Sequence, residues 1–437
     1  MDATFPEIPP DHFLSLSRLD GLLGIAESTY DTSTLAAHDF DVDNRTGFMP
    51  PQPPPARLPE AFEHWEEVLD EAIKSGLQLG DKPGITLAET ECSEKWRRSV
   101  RHLPILPIAD LIRSETNLRR AHLVLAWVMH FYIHSLPSDM PIIVPAAITV
   151  PLFKICTQLQ LPPVLTYSDT VLYNWRLKTP SNRVTPALDN LVSNTLFTGT
   201  NDEQEFYLTS ARMELRGVEA LDLMRSTMDE AFIGDTIAIR RITAYLQRLA
   251  VVIDEIKALF AGVRDGCDPW ILASDDGSLK GSTATQTGFI RQNSLAPARA
   301  RAPLIHALDV FLGVHEFSHA PDGGSRQPFL ERMQLYMPRH HRNFLDHLTV
   351  NPRPLRAIVM GAESNEELVT AYNLAVQALK RFRDYHITIV TAYIIQPARK
   401  ALVRPEPSQE PLKGTGGTDL ARFLKSVRDQ TAAAKIE

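Results

Sequence analysis

Cysteine is scarce. The chain of 437 residues has three, Cys92, Cys156 and Cys267, far apart and odd in number. That spacing yields neither a disulfide framework nor a CxxC metal site, and it reads as the reduced thiols of an intracellular protein. Long apolar runs are absent too. The most apolar stretch, Leu123 to Ile133, falls well short of the ~20 residues that cross a bilayer. The run from Met140 to Phe153 is interrupted by Pro141, Pro145 and Pro151. The first twenty residues carry acids and prolines instead of a basic start followed by an apolar core, so a secretory leader is not expected and the location is read as cytoplasmic. Clustered lysine and arginine are lacking, and the net charge is −8. This disfavours nucleic acid as a partner, because phosphate binding needs concentrated positive charge. β-type alternation is scarce, no internal repeat is visible, and neither HExxH nor a Cys/His zinc spacing occurs.

What remains is an ordinary globular composition, 44% hydrophobic and 22% charged, in a chain long enough for two domains. Phe48 to Pro59 (FMPPQPPPARLP) is expected to run extended, since each proline fixes φ and restricts its neighbour. Such a stretch either lies over its own fold or serves a proline-reading domain. Helical periodicity then dominates, over Ala61–Gly76, Leu118–His134, Glu205–Met213 and two or three stretches of Ala220–Phe260. Thr179 to Thr200 is polar and turn-rich, as a domain boundary would be, and Asp265 to Arg301 reads as a long loop. The fold class is therefore mainly α.

Ser364 to Tyr393 is the most informative segment. Ser364 with Glu367 resembles a capping box, and Pro397 supplies a stop. Between them Leu368, Tyr372, Ala375, Leu379, Phe382, His386, Ile389 and Tyr393 alternate in steps of four and three. They form one stripe of a helix roughly 45 Å long at ~1.5 Å per residue. His386 thus interrupts an apolar seam, where its two nitrogens need partners. A core histidine bonded to a carbonyl or carboxylate would satisfy the pattern, and so would a metal or haem ligand.

Four blocks in order extend the argument: LDVFLGV (Leu308–Val314), MQLYMPRHHRNFL (Met333–Leu345), RFRDYHITIVTAYI (Arg381–Ile394) and KGTGGTDLARFLKSVR (Lys413–Arg428). With LPPVLTYSDTVLYNW (Leu161–Trp175), EFYLTS (Glu205–Ser210) and the proline stretch, they resemble the indoleamine 2,3-dioxygenase family. The resemblance covers most of the chain and is weakest before residue 45 and from about residue 269 to 303. It implies a smaller, mixed N-terminal domain, here 1–196, and a larger all-helical domain binding haem b, here 197–437. The proximal iron ligand would be His386, with Asp309 and Arg383 beside it orienting the imidazole. Tyr167, Thr170, Val171, Phe206, Tyr207, Ser210 and Ile394 would form the distal pocket, and Thr415 would sit in a glycine-rich lid. Phe206 and Ser210 are four apart and share a helical face.

The implied reaction inserts O2 into the C2–C3 bond of L-tryptophan or a related indoleamine. It gives N-formylkynurenine, the entry to kynurenine and NAD synthesis, and needs an electron donor to keep the iron ferrous. The resemblance further implies a monomer. Two departures bear on the substrate. No arginine after Cys267–Pro269 matches the one that holds the substrate carboxylate in the family, and PARARAP (Pro297–Pro303) replaces a small-residue turn. Arg299 or Arg301 is the candidate replacement, a guanidinium being the strong bidentate partner of a carboxylate. The rival readings are a haem enzyme oxidising another indole or aromatic compound, and a non-catalytic haem-binding homologue.

Overall fold

The structure is a computed structural model that describes residues 40–82, 84–181, 185–267, 302–317, 333–362, 364–395 and 420–436. It is mainly α, as the periodicity requires. The first group of helices is α1 (Glu63–Lys74), α2 (Leu87–Arg101), α3 (Glu115–His134) and α4 (Ala146–Leu159). A π turn at Ser168–Leu172 leads into a two-stranded antiparallel ribbon, β1 (Trp175–Leu177) with β2 (Leu191–Ser193). Then follow α5 (Asn201–Arg216), α6 (Val218–Ile233), α7 (Thr236–Ala261) and α8 (Pro303–Phe311). The series ends with α9 (Arg339–Thr349), α10 (Leu355–Gly361), α11 (Glu366–Val390) and α12 (Leu420–Ala433).

Local chemistry sets the helix ends. Thr86 and Glu89 close a reciprocal capping box on α2, and the Thr200 side chain accepts from Glu203 N on α5. Gly234 ends α6 at φ +69°, and the next residue, Asp235, caps α7 by accepting from Ile237 N and Ala238 N. On α11 the cap differs from the expected one. Asn365 accepts from Leu368 N at 3.1 Å and the helix begins at Glu366, so Ser364 is not the N-cap. An asparagine one residue nearer the helix provides the same acceptor at the required position. The proline-interrupted run after Met140 also forms a helix. Pro145 takes the N-cap of α4, where no N–H is needed, and Pro151 costs one backbone hydrogen bond. Burial of Ile148, Leu152, Ile155 and Leu159 offsets that loss.

Buried side chains gather into two cores. One is built from α1 to α4 and includes Trp65, Trp127, Phe131 and Phe197. Phe197 stacks on Trp127 with ring centroids 4.7 Å apart. The other is built from α5 to α12 and includes Tyr167, Trp175, Phe260 and Tyr372. The chain passes between them at residues 165–167, with Leu165 in the first core and Tyr167 in the second. The proline stretch lies over its own fold and touches both. Phe48 packs edge-on against His341, and Leu58 enters the first core. Arg120 on α3 forms a bidentate pair with Glu66 on α1, at 2.6 and 2.9 Å, and Glu66 also accepts from Leu58 N at 2.8 Å. Both charges are buried.

Removing one partner of such a pair leaves the other charge buried and uncompensated. Glu66→Ala is expected to lower the unfolding free energy by about 3–5 kcal/mol in chemical denaturation. The double variant Glu66→Leu/Arg120→Met is expected to lose far less. Equal losses in the two would refute the pairing.

Candidate functional site

Helix α11 positions the site. It packs along much of its length against α7. Leu368, Tyr372, Ala375, Leu379, Phe382, Ile389 and Tyr393 are all buried on its stripe. His386 is the one member of the stripe that is only half-buried. The reason is local: it lines a cavity that is partly open to solvent. Phe260 of α7 meets the imidazole edge-on at 5.7 Å between ring centroids, which limits how the ring can turn.

Arg383, one turn before His386, lines the same cavity. Its Nη2 donates to both carboxylate oxygens of Asp309 on α8 at 2.5 Å, and its Nη1 donates to Thr431 Oγ1 on α12. Asp309 also lines the cavity, and both charges are buried. Three helices therefore meet on one ion pair. The remaining wall is largely apolar, with Met213, Phe260, Ile305, Phe382, Ile387 and Phe423.

Tyr167 and Ser210 line the cavity as well, from the strap before the π turn and from α5. The strap is held by a buried ion pair. His122 of α3 has Nδ1 2.8 Å from Asp169 Oδ1 and Nε2 3.1 Å from the Pro162 carbonyl. Both neighbours are acceptors, so both nitrogens carry protons. Burial opposes that charge, but the Asp169 carboxylate and its hydrogen bond outweigh it and raise the imidazole from 6.5 to about 10. The other Asp169 oxygen accepts from Thr166 N at 2.8 Å and Thr166 Oγ1 at 2.6 Å, fixing the residue next to Tyr167. The Tyr167 hydroxyl donates to Glu214 Oε1 at 2.9 Å, and burial pushes this carboxyl up from 4.5 to about 8 against that bond.

Of the residues singled out in the sequence, the cavity brings together His386, Arg383, Asp309, Tyr167 and Ser210. Thr170, Val171, Phe206 and Tyr207 are buried and are not among the described residues that line the cavity. Ile394 falls within the π turn Thr391–Ile395, and its side chain is outside the described residues. Thr415, Arg299 and Arg301 also lie outside the described residues. Sequence reasoning missed His306, buried and cavity-lining three residues before Asp309. It also missed Glu214, four residues after Ser210. Helical spacing from the residues already identified was the available signal for both. Nothing in the sequence pairs His122 with Asp169, which are 47 residues apart.

The folded-state pKa of His122 is raised, so its contribution to stability is complete below about pH 6.5 and is lost as pH rises through about 10. The urea midpoint of His122→Asn should lie well below that of the parent protein at pH 6, with the gap narrowing by pH 10. A gap independent of pH would rule out the charged imidazole.

Comparison with known proteins gives a consistent result. The pattern of a family described as "Indoleamine 2,3-dioxygenase" matches residues 36–274 and 281–434. The match is interrupted at 275–280, within the stretch from about residue 269 to 303 where the resemblance is weakest. The chain is similar to "Indoleamine 2,3-dioxygenase 1" of Rattus norvegicus, at 29% identity over 91% of this chain and 95% of the relative. It is similar to "Indoleamine 2,3-dioxygenase" of Saccharomyces cerevisiae, at 30% identity over 89% of this chain and 91% of the relative. An indoleamine 2,3-dioxygenase of Aspergillus candidus is 29% identical over 92% of this chain and 98% of its own length.

Proposed function

The chain belongs to the indoleamine 2,3-dioxygenase family of haem b enzymes, and we propose that it oxidises L-tryptophan or a related indoleamine to N-formylkynurenine. The observation that carries this reading is His386 itself, half-buried on an otherwise buried stripe and facing a cavity with apolar walls. The residues fit the cofactor. A porphyrin needs a single axial imidazole and apolar contact, and this cavity offers both. Bound there, haem supplies the activation of O2 for insertion across the indole C2–C3 bond.

The chain's own residues do the rest. His386 would hold the iron, and the Asp309–Arg383 pair would fix the helix turn from which it projects. Phe260, Phe382 and Phe423 would limit the access of water to the bound ring. Tyr167 and Ser210 would form the substrate wall, with Thr170, Val171, Phe206 and Tyr207 supporting it from behind. Residues 197–437 would be the haem-bearing part and 1–196 the cover on the distal side, with Ile394 and Thr415 closing the pocket. The working form is read as a cytoplasmic monomer served by an external electron donor. Among the described residues, no helix is long and apolar enough to cross a membrane.

A second reading has its own observation. Arg383 is the one guanidinium among the described residues lining the cavity, and Asp309 and Thr431 already engage it. A substrate without a free carboxylate would need no further cation. For tryptophan, Arg299 or Arg301 would have to supply it.

The haem-loaded protein with L-tryptophan, O2 and a reductant should accumulate N-formylkynurenine, read by its absorbance. Product from a neutral indole but none from tryptophan would favour the second reading. His386→Ala should lose the Soret band and at least 100-fold of the activity, about 2.7 kcal/mol in barrier terms, while keeping its helical circular dichroism. An unchanged histidine-type spectrum in that variant would overturn the assignment.

A further inference from the structure

Six carboxylates are buried among the described residues: Asp43, Glu66, Asp169, Glu203, Glu214 and Asp309. Four of them have a cation, and a fifth, Glu203, has three hydrogen-bond donors that only partly oppose the upward push of burial on its carboxyl. Asp43 has Arg45, Glu66 has Arg120, Asp169 has His122, and Asp309 has Arg383. Glu203 accepts from Phe197 N, Thr198 N and Thr198 Oγ1. Glu214 is the exception. Its Oε1 accepts from the Tyr167 hydroxyl alone, and its Oε2 is buried with no hydrogen-bond partner among the described residues. Among the described residues no cation pairs with it. Burial pushes the carboxyl up against the hydrogen bond from Tyr167, and no charged side chain among the described residues of the strap, α6 or α7 pairs with it. An ionised oxygen in that setting would be stripped of water with nothing in exchange.

Its position gives this protonation state a consequence. Tyr167 touches Glu214 through its hydroxyl and the cavity through its side chain. Ser210, one helical turn before Glu214 on α5, lines the same cavity. We propose that Glu214 is an uncharged carboxylic acid that positions Tyr167 in the substrate wall, and that ligand affinity of the pocket depends on its proton. The proposal rests on the reading of this cavity as the substrate pocket. Tyr167 donates to Glu214 in the structure, and a neutral acid can also reverse this bond and donate to Tyr167, which frees the tyrosine's hydroxyl hydrogen for the pocket. An ionised acid can only accept. It would commit that hydrogen to itself and place a negative charge directly behind the wall.

Two measurements test this on the haem-loaded full chain, with indole as the probe. Infrared spectra across pH 6–10 should show the carbonyl stretch of a protonated carboxylic acid at neutral pH. That band should fade through about pH 8, be absent in Glu214→Gln, and shift in Tyr167→Phe. Indole affinity, read from the Soret band, should weaken about tenfold between pH 7 and 9 in the parent protein, following the protonated fraction. It should change less than about twofold in Glu214→Gln, whose amide mimics the neutral acid. Absence of the band, a band indifferent to Tyr167→Phe, or the same pH profile in Glu214→Gln would each overturn the proposal. If no indole binds at any pH, the substrate reading fails separately and the infrared arm alone decides the state of Glu214. A structural role alone would not make affinity follow one proton.

Discussion

The packing of α11 against α7 is the constraint on which the rest depends. Burying the stripe from Leu368 to Tyr393 fixes the rotation of α11 about its own axis. Once that rotation is fixed, His386 and Arg383 can only face the same cavity, because they stand three residues apart on adjoining parts of one face. Phe260 comes from the opposing helix and Asp309 from α8, so site and core are built by the same contacts. A shift of α11 by one residue would bury a polar position and withdraw both groups from the cavity together.

Three interior ion pairs join separate elements: Glu66 with Arg120 between α1 and α3, His122 with Asp169 between α3 and the π turn, and Asp309 with Arg383 between α8 and α11. In each pair Coulomb attraction and hydrogen bonds offset part of the desolvation cost that either charge alone would bear in full. Two of the three bear on the cavity, one through the helix carrying His386 and one through the segment carrying Tyr167. Glu214 has no such partner among the described residues and contacts Tyr167 of the cavity wall, and perturbed protonation often marks a functional site.

Much of this was legible in the chain itself. The four-and-three spacing around His386 and the helical periods of α1, α3 and α7 are local patterns, and local periodicity survives folding. The failures were local competitions. Ser364 and Asn365 both carry cap-forming side chains, and only the backbone geometry at the helix start chooses between them. Pro145 and Pro151 read as breaks because isolated propensity omits the burial that α4 gains in its core. His306 and Glu214 went unnoticed because each looks ordinary until its neighbours are known.

The sequence by itself determined the helical class, the stripe that must be buried, and the histidine that interrupts it. These follow from residue spacing along one helix, and the period of a helix does not depend on what it packs against. Only the tertiary structure decided which distant charges become partners and which carboxyl is left without one. Desolvation and pairing depend on groups dozens of residues apart coming within 3 Å, and no local pattern encodes that distance.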